Sequence, residues 1–394
     1  MTTDSRRATV AYDPVLLAAV LGLVGFGLVM VYSSSAITAQ DKLGDAFFFL
    51  KRQAFAAALG VVAMAVAMKL GYRRMARLAY PLLVVAVILL VLVLIPGLGT
   101  KVGGAKRWLR FPGVSIQPAE IAKVAWVVYL SYSLAKKREK VKHFSIGFLP
   151  HLGLAGVLVG LCMLEPDFGS SVALLFLMFV LLFAAGARLS WLVGSVLLAI
   201  PFAYTAIATS EYRMKRITAF LDPWANRQGS GYQVAESLMS IGSGGMTGLG
   251  LGDGRQKLFF LPEAHTDFIF AIIGEELGLF GVGALITLYG VVIWRGIRAS
   301  LNATEPFGSY LGLGITALIG FQAVVNMSVA MGLVPTKGLT LPFISYGGSS
   351  LIVLMGAAGL LLSISGAADG GKRRVGAVKV TKDELGLGGA EAAA

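Results

Sequence analysis

Ionisable side chains crowd the start of an apolar run in LPEAHTDFIFAIIGEELG, the stretch from Leu261 to Gly278. They are Glu263, His265, Asp267, Glu275 and Glu276. Charged groups inside an apolar helix cost free energy, so their presence there favours a functional role. Asp267 is the candidate general base, because a helix N-terminus favours its ionised form while apolar surroundings oppose it. The alternative is a helix N-cap, in which the Asp267 carboxylate accepts a backbone N–H.

Cations in two other blocks have the chemistry of a phosphate site. Lys106 and Arg107 lie in KVGGAKRWLR, and Lys337 lies in PTKGLTLPFISYGGSS. Lys and Arg bind phosphate oxygens and stabilise charge on a departing diphosphate, although such side chains can also extend to lipid headgroups. A carboxylate base ringed by these cations suits a substrate that carries phosphate or pyrophosphate.

Further charged residues have either a structural or a functional explanation. Glu120 and Lys123 in QPAEIAK are three residues apart, so they either brace a site or form a structural ion pair. Asp167 in LEPDFGSS either lines a site or belongs to a turn around Pro166. The residues alone leave both alternatives open.

The composition identifies an integral membrane protein. Hydrophobic residues make up 56% of the chain and charged residues 14%, and the mean hydropathy is +0.77. Apolar stretches of about 20 residues, each able to cross the roughly 30 Å hydrocarbon core, occur about ten times. They cover roughly residues 15–35, 54–70, 79–96, 118–135, 147–163, 170–185, 191–210, 267–293, 307–331 and 346–367. We therefore expect an all-α, polytopic fold of about ten transmembrane helices.

The distribution of Lys and Arg predicts the orientation of these spans. Basic residues are denser in the loops on the side of the two termini, so both termini are expected in the cytoplasm. Residues 1–367 then form one transmembrane domain, with a long extracytoplasmic loop at about 211–265. Residues 368–394 are rich in Gly and Ala and lack periodicity, which predicts a flexible cytoplasmic tail.

Charge and cysteine content exclude several other classes. The formal net charge of +13 is explained by anionic lipid and by topology, so no nucleic-acid partner is expected. Cys162 is the single cysteine, which excludes an internal disulfide and a Cys-based metal site.

The long loop contains two recognisable segments. Val234, Leu238 and Ile241 have helical spacing, which predicts a short helix lying on the membrane surface above the site. The following GSGGMTGLGLGDGRQK has no dinucleotide or P-loop motif, and loop statistics favour a mobile flap.

Four sequence blocks, in order along the chain, resemble the SEDS family (shape, elongation, division and sporulation proteins). They are KRWLRFPGVSIQPAEIAK, LEPDFGSS, GYQVAESLMSIGSGGMTGLGLGDGRQKLFFLPEAHTDFIFAIIGEELG and PTKGLTLPFISYGGSS. The third block resembles the cell-division branch of this family more than its elongation branch, which tends to have Arg where Ala264 stands.

The resemblance implies a peptidoglycan glycosyltransferase of the bacterial cytoplasmic membrane, at the division septum. Such an enzyme polymerises lipid II, releases undecaprenyl pyrophosphate, and works with a class B penicillin-binding protein and other divisome proteins. The essential carboxylate of the family corresponds to Asp267. The resemblance also implies a substrate site formed by Lys337, Lys106, Arg107, Glu120, Lys123, Asp167, His265, Gln233 and Ser243. A divalent cation, Mg²⁺ or Mn²⁺, is a possible cofactor that would steady the leaving group.

Two other function classes compete with this interpretation. A transporter could use the same basic, amphipathic cavity to flip lipid II, but the charged groups cluster on one face rather than at the midplane, and the halves show no repeat. A scaffold that only recruits partners would leave the intramembrane charges unexplained.

Overall fold

A computed structural model describes residues 12–384, apart from 103–104, 112–113, 210, 228, 230, 255–260, 263 and 337. Over these residues the chain is mainly helical, as the apolar periodicity predicted. The helices are α1 (Pro14–Leu43), α2 (Phe48–Leu70), α3 (Tyr72–Arg77), α4 (Ala79–Leu94), α5 (Pro118–Lys137), α6 (Leu149–Leu164), α7 (Phe168–Ala184), α8 (Leu189–Ala208), α9 (Glu211–Leu221), α10 (Tyr232–Gly244), α11 (Ile269–Leu301), α12 (Pro306–Ala330) and α13 (Gly348–Glu384).

Each of the ten apolar stretches predicted from the sequence is largely helical in the structure. Six helices are long and apolar enough to cross a membrane, namely α1, α2, the helical segment Phe144–Leu164 that includes α6, α11, α12 and the Gly348–Ala367 part of α13. Shorter apolar helices are Ala79–Leu94, Phe168–Ala184 and Leu189–Pro201. The prediction of a polytopic helical membrane protein is therefore confirmed.

The core lies where α2 packs along α13 and where α12 packs against α5, α7 and α11. Glycines allow some of these helices to approach closely. A Cβ atom at Gly314 of α12 would overlap Val127 of α5, and one at Gly60 of α2 would overlap Met355 of α13. Large apolar side chains on the outer faces, such as Phe183, remain exposed, which suits contact with lipid.

A small antiparallel sheet between α4 and α5 was not predicted. Its strands are β1 (Gly99–Val102), β2 (Ala105–Phe111) and β3 (Val114–Ile116), in the order β1-β2-β3. Leu109 in the central strand pairs with Gly99 on one side and Ile116 on the other. The sheet holds the basic KRWLR segment in an extended, alternating conformation.

Helix α11 is interrupted at Gly278, whose backbone angles are φ 60° and ψ −161°. The glycine-rich segment 244–254 packs against this interruption. Four backbone hydrogen bonds join the two parts: Leu249 N to Glu275 O, Gly250 N to Glu276 O and Leu279 N to Gly245 O at 3.0 Å, and Phe280 N to Met246 O at 3.2 Å. They satisfy helix groups that the break leaves unpaired. The interpretation of a mobile flap is therefore wrong for residues 244–254.

Helix α10 forms where the sequence predicted a short helix, and three of its polar side chains, those of Glu236, Ser237 and Ser240, are buried. The Ser237 hydroxyl donates to a carbonyl oxygen of α12 at 2.7 Å, and Ser240 donates to the Glu275 carboxylate at 3.1 Å. Glu236, only 3% exposed, accepts hydrogen bonds from Arg227. The predicted short helix is therefore present, and polar contacts fix it against α11 and α12.

The last helix extends further than expected. Helix α13 continues to Glu384, through the first part of the tail for which the sequence predicted a flexible chain. Residues 385–394 of that tail lie outside the described part of the chain.

Candidate active-site cavity

Five chain segments enclose a cavity of about 710 Å³. The lining residues are Arg52, Phe55, Ala56 and Leu59 of α2; Arg107, Trp108, Arg110, Ser115 and Gln117 of the sheet and its exit; His265, Thr266 and Asp267 before α11; Gly338 and Thr340; and Tyr346, Gly347, Gly348, Ser349, Ser350 and Ile352. These segments belong to the side of the membrane that the sequence predicted to be extracytoplasmic.

Asp267 lies in the turn immediately before α11. The N-cap residue of this helix is Phe268, whose side chain forms no capping hydrogen bond. The N-cap position that the alternative interpretation gave to Asp267 is therefore held by Phe268, and Asp267 lines the cavity.

Three hydrogen bonds hold the backbone around Asp267. The carbonyl oxygens of His265, Thr266 and Asp267 accept from Tyr346 N at 2.9 Å, Ser345 Oγ at 2.6 Å and Asn326 Nδ2 at 2.9 Å. Each donor comes from a different position on α12 or the turn before α13. The segment that carries the carboxylate is thus fixed on three successive residues.

Arg107 and Asp267 both approach Gly338. A Cβ atom at Gly338 would lie 3.5 Å from Arg107 Nη1 and 3.6 Å from Asp267 Oδ2. The guanidinium is oriented by two carbonyl oxygens, since its Nε donates to Glu165 O at 3.2 Å and its Nη2 donates to Pro166 O. A carboxylate and an oriented cation therefore face the same part of the cavity.

Two further arginines line the cavity, and sequence reasoning did not assign either to the site. Arg52 projects from α2, with its guanidinium carbon 4.3 Å from the centre of the Phe48 ring. Arg110 lies three residues after Arg107 in β2. The basic block signalled Arg110, whereas Arg52 gave no signal of its own because it lies at the start of an apolar helix.

Aromatic rings form one wall of the cavity. The ring centres of His265 and Phe49 are 4.6 Å apart, and those of His265 and Tyr346 are 5.6 Å apart. Phe49 and Tyr346 meet edge to face at 5.0 Å. His265, which the sequence assigned to the substrate site, is therefore a cavity residue packed between two aromatic rings.

Glu120 and Lys123 form a buried ion pair beneath the cavity. The Lys123 ammonium donates to Glu120 Oε1 at 2.7 Å, and the two residues are 0% and 3% exposed, respectively. They lie on α5, within two turns of the cavity residue Gln117. The pair is therefore close to the cavity but is not part of its lining in the described structure.

Asp167 and Glu165 occupy the connection between α6 and α7. Asp167 caps α7, accepting from Ser170 N at 3.1 Å and Ser170 Oγ at 2.8 Å. Glu165 is fully buried, and neither carboxyl oxygen has a hydrogen-bond partner among the described residues. Burial, followed by repulsion from Asp167, raises the pKa of Glu165 to about 8, although the Arg107 charge opposes this shift.

The remaining residues that the sequence assigned to the substrate site do not line the described cavity or lie outside the described residues. Lys106 is exposed on β2, and within the described chain neither it nor Gln233 or Ser243 of α10 lines the cavity. Ser243 donates to the Ser240 carbonyl oxygen of its own helix at 2.8 Å. Lys337 lies outside the described residues, although its neighbour Gly338 lines the cavity.

The described residues contain no cluster of three or more His, Cys, Asp or Glu side chains that could hold a metal ion. Asp267 is the one carboxylate in the described lining of the cavity, and His265 is beside it in sequence. Mg²⁺ is commonly bound by one or two carboxylates together with substrate phosphates. The donor set therefore fits a cation shared with a phosphate-bearing substrate, not one enclosed by protein alone.

Comparison with known proteins identifies relatives over nearly the whole chain. A family model covering FtsW, RodA and SpoVE, described as cell cycle protein, matches residues 14–369. A probable peptidoglycan glycosyltransferase FtsW of Geobacter metallireducens is 49% identical over 354 residues, which cover 90% of this chain and 94% of the relative. Stage V sporulation protein E of Bacillus subtilis is 42% identical, covering 90% and 96% of the two chains.

Solved structures agree with these relatives. A chain from a structure described as the structural coordination of polymerization and crosslinking by a peptidoglycan synthase complex has a TM-score of 0.75 and 32% identity, covering 90% of this chain and 98% of its own. The crystal structure of Thermus thermophilus RodA has a TM-score of 0.66 and 29% identity, covering 90% and 97%. The named relatives favour a glycosyltransferase over a transporter. This chain therefore belongs to the FtsW/RodA/SpoVE family of cell cycle proteins.

Proposed function

We propose that this chain is a peptidoglycan glycosyltransferase that polymerises lipid II in the cavity around Asp267. The observation that carries the proposal is that the Asp267 carboxylate and the Arg107 guanidinium both lie beside Gly338, in a cavity with two further arginines. A base and several cations are what transfer from a diphosphate-linked sugar requires.

In the proposed reaction, the 4-hydroxyl oxygen of one sugar attacks the anomeric carbon of another. The Asp267 carboxylate takes the hydroxyl proton as the new carbon–oxygen bond forms. The bond between the anomeric carbon and the diphosphate oxygen breaks, and its electron pair leaves with undecaprenyl pyrophosphate. Arg107 is the proposed partner of the leaving diphosphate, because its orientation by two backbone carbonyls leaves Nη1 directed toward Gly338.

Apolar residues of the cavity support a lipid-linked substrate. Phe55 and Leu59 of α2 line the cavity, yet they are 60% and 39% exposed. They are four residues apart and therefore share one face of the helix. We propose that this face receives the start of the lipid tail, while the aromatic wall at His265 and Tyr346 contacts sugar rings.

A divalent cation enters the proposal only as an ion that the protein and the substrate would bind together. It would be held by Asp267 and by the substrate diphosphate, and it would supply charge that steadies the leaving group. Gln233, Ser243, Lys106 and Lys337 remain proposed substrate contacts, and Glu120, Lys123 and Asp167 remain proposed supports of the site.

The setting of the enzyme follows from the helices and from its relatives. We propose ten membrane spans, cytoplasmic termini, an extracytoplasmic loop at 211–265 and action at the division septum of the bacterial cytoplasmic membrane. A class B penicillin-binding protein is the proposed partner, because one related structure is a complex for polymerization and crosslinking. Contacts with other divisome proteins are also proposed.

The experiment is to incubate the purified protein with labelled lipid II, with and without its transpeptidase partner, and to separate the products by length. Polymer formation supports the proposal. Movement of intact lipid II across vesicle membranes, without polymer under either condition, would contradict it and favour the transporter.

A further inference from the structure

Asn326 has a buried side-chain amide that contacts the segment carrying Asp267. It lies on α12, one turn before the helix ends at Ala330, and is 1% exposed. Its Nδ2 donates to two backbone carbonyl oxygens, that of Asp267 at 2.9 Å and that of Leu339 at 2.7 Å. One side chain therefore joins the two chain segments that bring Asp267 and Gly338 together.

The chemistry of the two acceptors requires an amide at this position. Both partners are carbonyl oxygens, so the side chain must supply two N–H donors from one nitrogen, and among short neutral side chains Asn does this. The opposite orientation of the amide would place its oxygen against both carbonyls, so the hydrogen bonds themselves determine the orientation. Asp has the same shape but would present an acceptor to both acceptors.

The oxygen of the Asn326 amide indicates that the two hydrogen bonds donated by Nδ2 are the role of this residue. Asn326 Oδ1 is buried and has no hydrogen-bond partner among the described residues. Burying a polar oxygen in this way costs free energy, which an apolar residue of similar size would avoid. An Asn at this position is therefore explained by its two donors and not by general stability.

The Asp267 carbonyl oxygen is available for this bond because of the local backbone. Helix α11 begins at Ile269, and Ala271 N donates to Phe268 O at 2.9 Å instead of to the Asp267 oxygen. The carbonyl is thereby left for a side chain, and Asn326 fixes the peptide plane directly after the reactive residue. Leu339, the other acceptor, follows Gly338, whose Cβ position is near both Asp267 Oδ2 and Arg107 Nη1.

We propose that Asn326 is the positioning residue of the active site, and that its two hydrogen bonds hold the Asp267 segment against the segment of Gly338 and Leu339 and so place the Asp267 carboxylate in the cavity. This inference rests on the proposed function of Asp267 as the base. Asn326 does not touch the substrate, so its loss acts through Asp267. A small displacement of a reacting group can lower a rate by roughly 100-fold.

The test uses Asn326→Leu, which keeps the number and branching of the side-chain heavy atoms and removes both donors. Polymerisation of labelled lipid II is expected to fall roughly 100-fold, with the KM for lipid II changed less than about threefold. The matched control is Thr316→Val on the same helix, which removes one buried hydrogen bond, to the Gly312 carbonyl oxygen, away from the cavity. This control should keep the wild-type rate.

A double-variant cycle separates positioning from a general structural role. Since Asn326 acts through Asp267, adding Asn326→Leu to Asp267→Asn should not lower the residual rate further. A further loss equal to that of the single variant would overturn the inference, as would a folded Asn326→Leu protein with the wild-type rate. If Asn326→Leu does not fold, Asn326→Ser, which retains one donor, replaces it in the same test. The polymerisation rate of Asn326→Ser is expected to fall roughly tenfold, and a wild-type rate would overturn the inference.

The same set distinguishes this inference from the proposed function. Normal polymerisation by Asp267→Asn would refute the role of Asp267 as base. An inactive Asp267→Asn together with a fully active Asn326→Leu would refute only the positioning role.

Discussion

The Asp267 carboxylate and the Arg107 guanidinium both border the space that a side chain at position 338 would occupy, and Gly338 leaves that space open. A Cβ atom there would lie 3.6 Å from the carboxylate oxygen and 3.5 Å from the guanidinium nitrogen. Both charged residues are anchored through backbone carbonyls, Asp267 by accepting from Asn326 and Arg107 by donating to Glu165 and Pro166. Hydrogen bonds therefore hold both the Asp267 backbone and the Arg107 guanidinium in place.

Replacing Arg107 by Ala should lower lipid II polymerisation by roughly tenfold or more, because a charge-assisted hydrogen bond to phosphate is worth about 1.5–3 kcal/mol. The measurement is polymer yield against time with purified protein. Lys51→Ala is the matched control, since Lys51 is an exposed cation that pairs with Asp45 at 2.8 Å and does not line the cavity. Equal losses in both variants would indicate a general effect of surface charge instead of a specific contact.

The contact between the glycine-rich segment and α11 predicts a steric effect at Gly248. This residue has φ +83°, and a Cβ atom there would overlap the Glu276 carbonyl oxygen. Gly248→Ala should therefore lower the melting temperature in detergent, with the left-handed backbone alone costing about 1–2 kcal/mol. In Gly242→Ala, by contrast, the methyl meets nothing within 4 Å on helix α10, so no loss is expected. A Gly248→Ala protein as stable as the wild type would show that the segment is not closely docked.

The buried Glu120–Lys123 pair predicts a non-additive result. Glu120→Gln leaves the Lys123 ammonium buried without its counter-charge, and breaking such a pair costs about 3–5 kcal/mol. The double variant Glu120→Leu/Lys123→Leu should recover most of that stability, because it buries no charge. Thermal unfolding of the three proteins checks this expectation. A double variant that is well folded but inactive would show that the pair also serves the reaction.

Glu165 predicts a dependence of stability on pH. It lies in the connection between α6 and α7, and its pKa is raised from 4.5 to about 8. The folded protein therefore favours the neutral acid, so stability is highest below the unfolded pKa, falls as the pH rises from 4.5 to about 8, and then stays low. Glu165→Gln is neutral throughout, so it should raise the melting temperature at about pH 8 and have little effect near pH 4. An equal effect at both pH values would contradict a buried, neutral Glu165.

Much of the fold could be predicted because membrane spans depend on a local property, the length of each apolar run. The features that were predicted wrongly or missed depend on tertiary contacts, which local sequence patterns do not specify. The KRWLR block alternates as a strand only over a few residues, which is too short for periodicity to identify. The segment 244–254 appeared mobile because its glycines were read as flexible, whereas they permit backbone contact with α11 that no local pattern specifies.

The site was predicted in part for the same reason. Asp267, Arg107 and His265 are charged or titratable residues at the ends of apolar runs, where such groups are conspicuous, and the fold brings them into one cavity. Arg52 and Asn326 could not be found this way. Each belongs to a helix, and tertiary packing determines which side of that helix points toward the site. Asn326 also acts through hydrogen bonds to residues 59 and 13 positions away in sequence.

The most direct test of the account is Asp267→Asn. Phe268 is the N-cap residue of α11, and an Asn oxygen accepts the same backbone hydrogen bonds as an Asp oxygen, so this nearly isosteric change removes the base without removing a helix cap. The measurement is the rate of lipid II polymerisation by purified wild-type and variant proteins of equal melting temperature, each bound to the transpeptidase partner. The account predicts a fall of roughly two orders of magnitude or more. A folded variant that polymerises lipid II at the wild-type rate would contradict it.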